Sequence, residues 1–154
     1  IGSLVMCNSF RNPAFLAKMA ATLDNISNGR LELGLGAGWM EDEYKGYGYP
    51  FPSGGTRANQ LKEGVEIIKK LFTGKIARHD DGKYFTMERV RLWTLPEQPV
   101  PIYVATAGPV TARWTGEQCD GFITPGAGVE KLKTLLQSLE GSGISGLLQL
   151  ADQF

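Results

Sequence analysis

The sequence predicts an α/β fold with parallel strands, about half of a (β/α)8 (TIM) barrel carrying a β-hairpin insertion. Three observations predict it. Short apolar runs alternate with amphipathic helix patterns along the chain. Several of those runs dissolve into glycine or other small residues, as strands do where a ligand or another backbone comes close. The chain also opens in mid-strand at Ile1 without a methionine, and the stretch 141–154 changes character. These ends favour half a barrel over a small open sheet. The expected division is a partial barrel over residues 1–140 and an atypical tail over 141–154.

The elements follow in order. Residues 1–7 are apolar enough for a buried strand, and 8–12 form a loop. Asn12 then Pro13 reads as an N-cap and first helical position. Leu16, Met19, Ala20 and Leu23 continue at helical spacing. Asn28-Gly29 supplies a stop. A strand over 31–36 comes next, with glycine at 34, 36 and 38. Two buried strands joined by one helix imply parallel pairing and a right-handed crossover. Residues 39–55 read as a long loop, or a loop with a short helix, rich in rings and proline. In the helix over 56–72, Leu61, Val65, Ile68 and Phe72 share one face. Residues 76–86 read as a hairpin turning at Asp81-Gly82 in a type I′ turn, outside the main sheet. Strands over 102–106 and 120–123 and helices over 110–118 and 129–139 complete the pattern.

Composition excludes several functions. Charge balances at 16 basic and 16 acidic residues, so there is no nucleic-acid footprint. No apolar run is long enough to span a bilayer. Cys7 and Cys119 are far apart and outside any CxxC context, which fits reduced thiols and a cytoplasmic protein. A single histidine, His79, excludes a multi-histidine metal site, and no metal is expected. Gly34-x-Gly36 meets Trp39 where the dinucleotide fingerprint needs a third glycine, and no GxxxxGK[ST] occurs. Glu41, Asp42 and Glu43 read as a solvated helix start. With no nucleophile–base set in view, no catalytic residue is assigned. The pattern fits a cofactor that brings its own chemistry.

Three strand ends are candidates for one rim: residues 3–7, 34–39 and 105–109. At the third, Ala105, Thr106, Ala107 and Gly108 are small, and Pro109 suits a helix start. Free N–H groups and the helix dipole there favour an anion such as phosphate. Locally, an ordinary strand–helix turn fits these stretches equally well.

The run NPAFLAKMAATLDNISNGRLELGLGAGWMEDEYKGYGYPFPSGGTR, with LKEGVEIIKKLFTG, PVPIYVATAGP and CDGFI, resembles the luciferase-like monooxygenase family over residues 1–140. It is most similar to the branch that uses the deazaflavin F420. The resemblance implies a TIM barrel of which this chain supplies middle strands, the third to sixth. It implies F420 as cofactor, with flavin mononucleotide (FMN) as the alternative. It also implies a strand bulge behind the cofactor ring, often with a non-proline cis peptide, at Leu4-Val5 beside Ser3. Phosphate-contacting turns match Ala37-Gly38 and Ala105-Thr106-Ala107-Gly108. Trp39 stands where the family's sugar-phosphate dehydrogenases carry a catalytic Glu, and their substrate-phosphate Lys is replaced near 126–128. Glucose-6-phosphate is therefore a poor candidate substrate, and Trp39 is expected to line a pocket for an apolar or aromatic substrate, or to cover the cofactor.

The expected activity is hydride transfer to or from a small organic substrate. One alternative is an FMN-dependent monooxygenase using molecular oxygen. Another is a non-catalytic barrel fragment that needs missing strands or a partner. Bare sheet edges in half a barrel favour association of copies, so a homo-oligomer is expected.

Overall fold

The computed structural model describes residues 1–124, 129–137 and 146–149. The elements are β1 (Met6–Cys7), a 3-10 turn (Asn8–Phe10), α1 (Pro13–Ile26), β2 (Leu33–Gly36), α2 (Glu41–Gly46) and α3 (Gly54–Phe72). They continue with β3 (Ala77–His79), β4 (Met87–Val90), β5 (Ile102–Ala105), α4 (Pro109–Gln118), β6 (Gly121–Thr124), α5 (Val129–Gln137) and β7 (Gly146–Gln149). The chain divides into two compact units interleaved in sequence. The first comprises Ile1, Met6–Leu31 and Ala37–Val100; the second comprises Gly2–Val5, Glu32–Gly36 and Pro101–Phe154.

In the second unit, β2, β5, β6 and β7 pair in that order, all parallel. Gly34 faces Tyr103 and Gly36 faces Ala105 across the first pair. Leu33, Leu35, Ile102, Val104 and Phe122 are fully buried, so one sheet face carries a continuous apolar layer. Asp120 fixes the start of β6: its carboxylate accepts the Ile102 N–H at 2.8 Å, and its own N–H donates to the Ile102 carbonyl at 3.0 Å.

In the first unit, α1 and α3 pack together. Asn12 caps α1 as expected, accepting from the N–H groups of Ala14 and Phe15 at 2.9 and 3.2 Å, with Pro13 at the first helical position. Asn28 and Gly29 end it with φ of 59° and 70°. Leu61, Val65 and Ile68 of α3 are buried together with Ile67 and Leu71.

Three expectations need correction. Residues 1–5 are neither in a strand nor buried: residues 1–4 are exposed, Val5 is half-buried, and only Met6 and Cys7 form β1. The hairpin is real and lies in its own two-stranded sheet, but β4 begins only at Met87. Gly82 does not take the positive φ that a type I′ turn demands. A wider loop over 80–86 is held instead by a side chain of α3, described below. Finally, the four residues of β7 pair with β6 in a stretch where the sequence pattern predicted no strand. The expectation for 126–128 and most of the tail lie outside the described residues.

Candidate functional site

In the second unit, residues 2–5 lie directly against β2, and glycine makes that possible. A Cβ on Gly34 would stand 2.4 Å from the Ser3 carbonyl oxygen, and one on Gly36 2.7 Å from Val5 Cγ2 and 3.6 Å from Ala105 Cβ. The glycines that end β2 therefore make room for protein backbone, the segment with the cis Leu4-Val5 bond. Leu4 is left 60% exposed. A cavity of about 200 Å3 is bounded by Ser3, Leu4, Glu32, Gly34, Tyr103 and Ile123. That is smaller than a typical closed ligand pocket of about 300–1,000 Å3.

Gly36 brings two of the expected segments together, since a side chain there would meet both Val5 and Ala105. Past Ala105, the Thr106 N–H donates to the Ile123 carbonyl at 2.9 Å, tying the turn to β6. Thr106 Oγ1 donates to the Gly108 carbonyl at 3.2 Å. Gly108 precedes α4 with no side-chain cap, Pro109 brings no N–H, and the first intrahelical bond is Ala112 N–H to the Gly108 carbonyl at 3.0 Å. The N–H groups of Val110 and Thr111 thus lie at the positive end of the helix dipole without a side-chain acceptor. Ala107, Pro109 and Val110 are exposed, so nothing bulky shields this terminus.

The first unit holds the turn that follows β2. Ala37 and Gly38 are partly buried, and Trp39 is 79% exposed. Tyr44 is fully buried, with its hydroxyl 3.1 Å from the Ala37 carbonyl, 2.8 Å from Ser9 Oγ and 3.2 Å from Cys7 Sγ. Burial pushes the phenol up to about 12, with the Cys7 contact adding and Ser9 opposing. Arg57 donates through Nε to the Gly38 carbonyl at 3.2 Å and also to the Pro52 carbonyl, while its guanidinium stacks 3.9 Å over the Phe51 ring.

A second polar cluster in the same unit grips the hairpin loop. Glu63 of α3 accepts the N–H groups of Tyr84 at 3.1 Å and Phe85 at 2.8 Å, and lies 3.2 Å from His79 Nε2. Lys70 Nζ lies 3.1 Å from His79 Nδ1. An ammonium can only donate, so Nδ1 accepts and Nε2 carries the hydrogen given to Glu63. Burial raises the Glu63 carboxyl, but the Phe85 and Tyr84 amides and His79 outweigh it and hold it below its ordinary value. A cleft of about 440 Å3 borders this cluster. Among the described residues no group of His, Cys, Asp and Glu could hold a metal ion. No helix among them is long and apolar enough to cross a membrane.

Of the residues expected to hold a cofactor, Ser3, Leu4, Val5, Ala105, Thr106, Ala107 and Gly108 fall in the second unit, and Ala37 and Gly38, with Trp39, in the first. Sequence reasoning missed Tyr44 and Arg57, because Tyr44 was one ring among many in a loop. It also missed Glu63, which occupies an unremarkable helical position.

A family profile described as luciferase-like monooxygenase matches residues 1–142. The F420-dependent glucose-6-phosphate dehydrogenase of Amycolatopsis mediterranei is 39% identical over 132 residues, which is 84% of this chain and 39% of that relative. Among solved structures, an F420-dependent secondary alcohol dehydrogenase in complex with an F420-acetone adduct superposes with a TM-score of 0.83 at 26% identity, covering 97% of this chain and 47% of the other. The coenzyme F420-dependent tetrahydromethanopterin reductase of Methanopyrus kandleri shares the fold, with a TM-score of 0.82 at 22% identity, covering 97% and 49%. The chain therefore spans less than half the length of these proteins, and its strand–helix order is that of about half a (β/α)8 barrel.

Proposed function

The chain belongs to the luciferase-like monooxygenase family, and from that premise we propose that it is the cofactor-binding portion of an F420-dependent oxidoreductase. The observation that carries the reading is the wall built on Gly34 and Gly36, where the backbone of residues 3–5 lies against β2 beside Ala105. It has the shape a flat ring needs, and the uncapped start of α4 has the donors an anionic arm needs. Ser3, Leu4 and Val5 would back the ring. Ala105, Thr106, Ala107 and Gly108 would hold phosphate through main-chain groups, and within the first unit the Ala37-Gly38 turn would offer main-chain groups of its own to an anion. Bound F420 supplies a carbon centre that takes or gives hydride.

The chain's own part is binding, orientation and exclusion of water. Exposed Leu4 and Trp39 offer apolar surface. Trp39, where the resemblance places a catalytic Glu in sugar-phosphate dehydrogenases, favours an apolar organic substrate over glucose-6-phosphate. The test is fluorescence titration of the chain with F420 and with FMN. Saturable quenching of F420 is expected. Binding of FMN alone would move the assignment to a flavin enzyme, and binding of neither would overturn it.

A second reading is favoured by α1. Its Phe15, Met19, Leu23 and Ile26 form an exposed apolar flank beside the buried Leu16, Ala17, Ala20 and Ala21. This supports a chain that works only when further barrel segments, or another copy, cover that flank. Sedimentation would test it, because a stable monomer at micromolar concentration that binds F420 contradicts it.

A further inference from the structure

We propose that Tyr44 and Arg57 are positioning residues that orient the peptides on either side of Gly38, so that the N–H groups of Gly38 and Trp39 are presented to the anionic part of a bound ligand. This rests on the cofactor reading above and extends it to residues that would not touch the ligand.

The geometry is that of two trans peptide planes, in each of which C=O and N–H point in opposite directions. Tyr44 takes the carbonyl of the first plane, Ala37 C=O, at 3.1 Å. The Gly38 N–H therefore points away from Tyr44, which is fully buried. Arg57 takes the carbonyl of the second plane, Gly38 C=O, at 3.2 Å, so the Trp39 N–H points away from Arg57. Neither N–H donates to a described protein group. Two adjacent, outward, unpaired N–H groups beside a left-handed residue are the raw material of an anion nest.

Each holding residue is itself held. The Tyr44 hydroxyl has both the Ala37 carbonyl at 3.1 Å and Ser9 Oγ at 2.8 Å within donating reach, and Cys7 Sγ lies 3.2 Å away, so three partners fix where its oxygen sits. The ring is wedged against Phe10 and Phe51, with centroids 4.8 and 4.9 Å away. Arg57 bridges two carbonyls well apart in the chain, Gly38 and Pro52, and rests on Phe51. Gly38 closes the arrangement. Its φ is +78°, and a Cβ there would stand 2.0 Å from the Tyr44 oxygen and 2.8 Å from Cys7 Sγ.

The test compares Tyr44→Phe and Arg57→Lys with the unaltered chain. Tyr44→Phe keeps the ring and deletes the hydroxyl. Arg57→Lys keeps the charge but cannot reach both carbonyls. F420 affinity is measured by fluorescence at 15 °C, alongside the amide shifts of Gly38 and Trp39 by NMR without ligand. Ile68→Val, in the buried face of α3, serves as a control that lowers stability without touching the turn. Expected are a five- to tenfold loss of F420 affinity in each variant, displaced Gly38 and Trp39 amide signals, and affinity within twofold of the unaltered chain in the control. Affinity within twofold and unmoved amide signals in both variants would overturn the proposal, as would an equal loss of affinity in the control. If the unaltered chain binds no F420, the cofactor reading fails. Inorganic phosphate then replaces F420 as the probe. Phosphate-induced shifts at Gly38 and Trp39 that vanish in Tyr44→Phe still support the orientation, and their absence in the unaltered chain rejects it.

Discussion

The wall on β2 and the clamp on the hairpin loop handle polar groups in opposite ways. At the clamp, a carboxylate, an imidazole, an ammonium and two backbone amides hydrogen-bond one another at the protein's half-buried margin. At the wall, Gly34 and Gly36 make room for the backbone of residues 3–5, and α4 begins without a side-chain cap. The clamp spends its hydrogen bonds on holding the fold. The wall leaves its donors for something else. Stability and ligand binding should therefore respond separately to substitution in the two places.

The largest effect is expected at the clamp. Glu63→Ala strips the Tyr84 and Phe85 amides and His79 of their acceptor, at a cost of about 3 kcal/mol. Thermal or urea unfolding should show that loss, while F420 affinity well below the melting temperature stays the same. A matching loss of affinity would end the separation. Next comes Gly34→Ala at the wall. The Ser3 carbonyl is backbone and cannot swing aside, so about 2 kcal/mol of stability goes, as in overpacked cores. Here F420 quenching should disappear as well, because the segment proposed to back the ring is displaced. Retained quenching would detach the glycines from the site.

Acid sharpens the contrast further. The Glu63 carboxyl titrates lower in the folded chain than its ordinary value of 4.5. Its contribution is fully present above that value and is lost as pH falls through the folded one. Unfolding midpoints measured from pH 6 down to pH 3 should fall less steeply in Glu63→Gln than in the unaltered chain. Equal slopes would mean that the clamp carboxylate contributes no pH dependence. The smallest effect on stability belongs to Trp39→Glu, below about 0.5 kcal/mol for so exposed a side chain. Its readout is selectivity. In the enzyme proposed above, turnover of apolar substrates should fall relative to sugar phosphates, and an unchanged ratio would remove Trp39 from the proposed substrate pocket.

Legibility in the sequence follows the range of the interactions. α3 was readable because its apolar spacing is local and repeats. The start of α1 was readable because Asn12-Pro13 acts within one turn. The small residues before α4 were readable for the same reason, since Ala105, Thr106, Ala107, Gly108 and Pro109 shape their own turn. The clamp was not, because Glu63 and Phe85 meet only after the hairpin folds back on α3. Residues 1–5 misled because their apolar composition suggested a buried strand, whereas Ile1 and Leu4 stay more than half exposed, and composition carries no sign of the cis Leu4-Val5 bond. That bond was placed at Leu4-Val5 by resemblance alone. Tyr44 stayed hidden because nothing in a run of rings tells which one will be buried beneath a turn.

The interleaving of the two compact units has a practical consequence for anyone who wants to cut this chain. It crosses from one unit to the other between Ile1 and Gly2, Val5 and Met6, Leu31 and Glu32, Gly36 and Ala37, and Val100 and Pro101. A nick at the last crossing frees no intact unit. The N-terminal piece keeps β2 but loses β5, its hydrogen-bonded neighbour, and the C-terminal piece loses the segment that lies against Gly34. Split reporters and circular permutants opened at that point will have to reassemble a sheet before they can reassemble anything else.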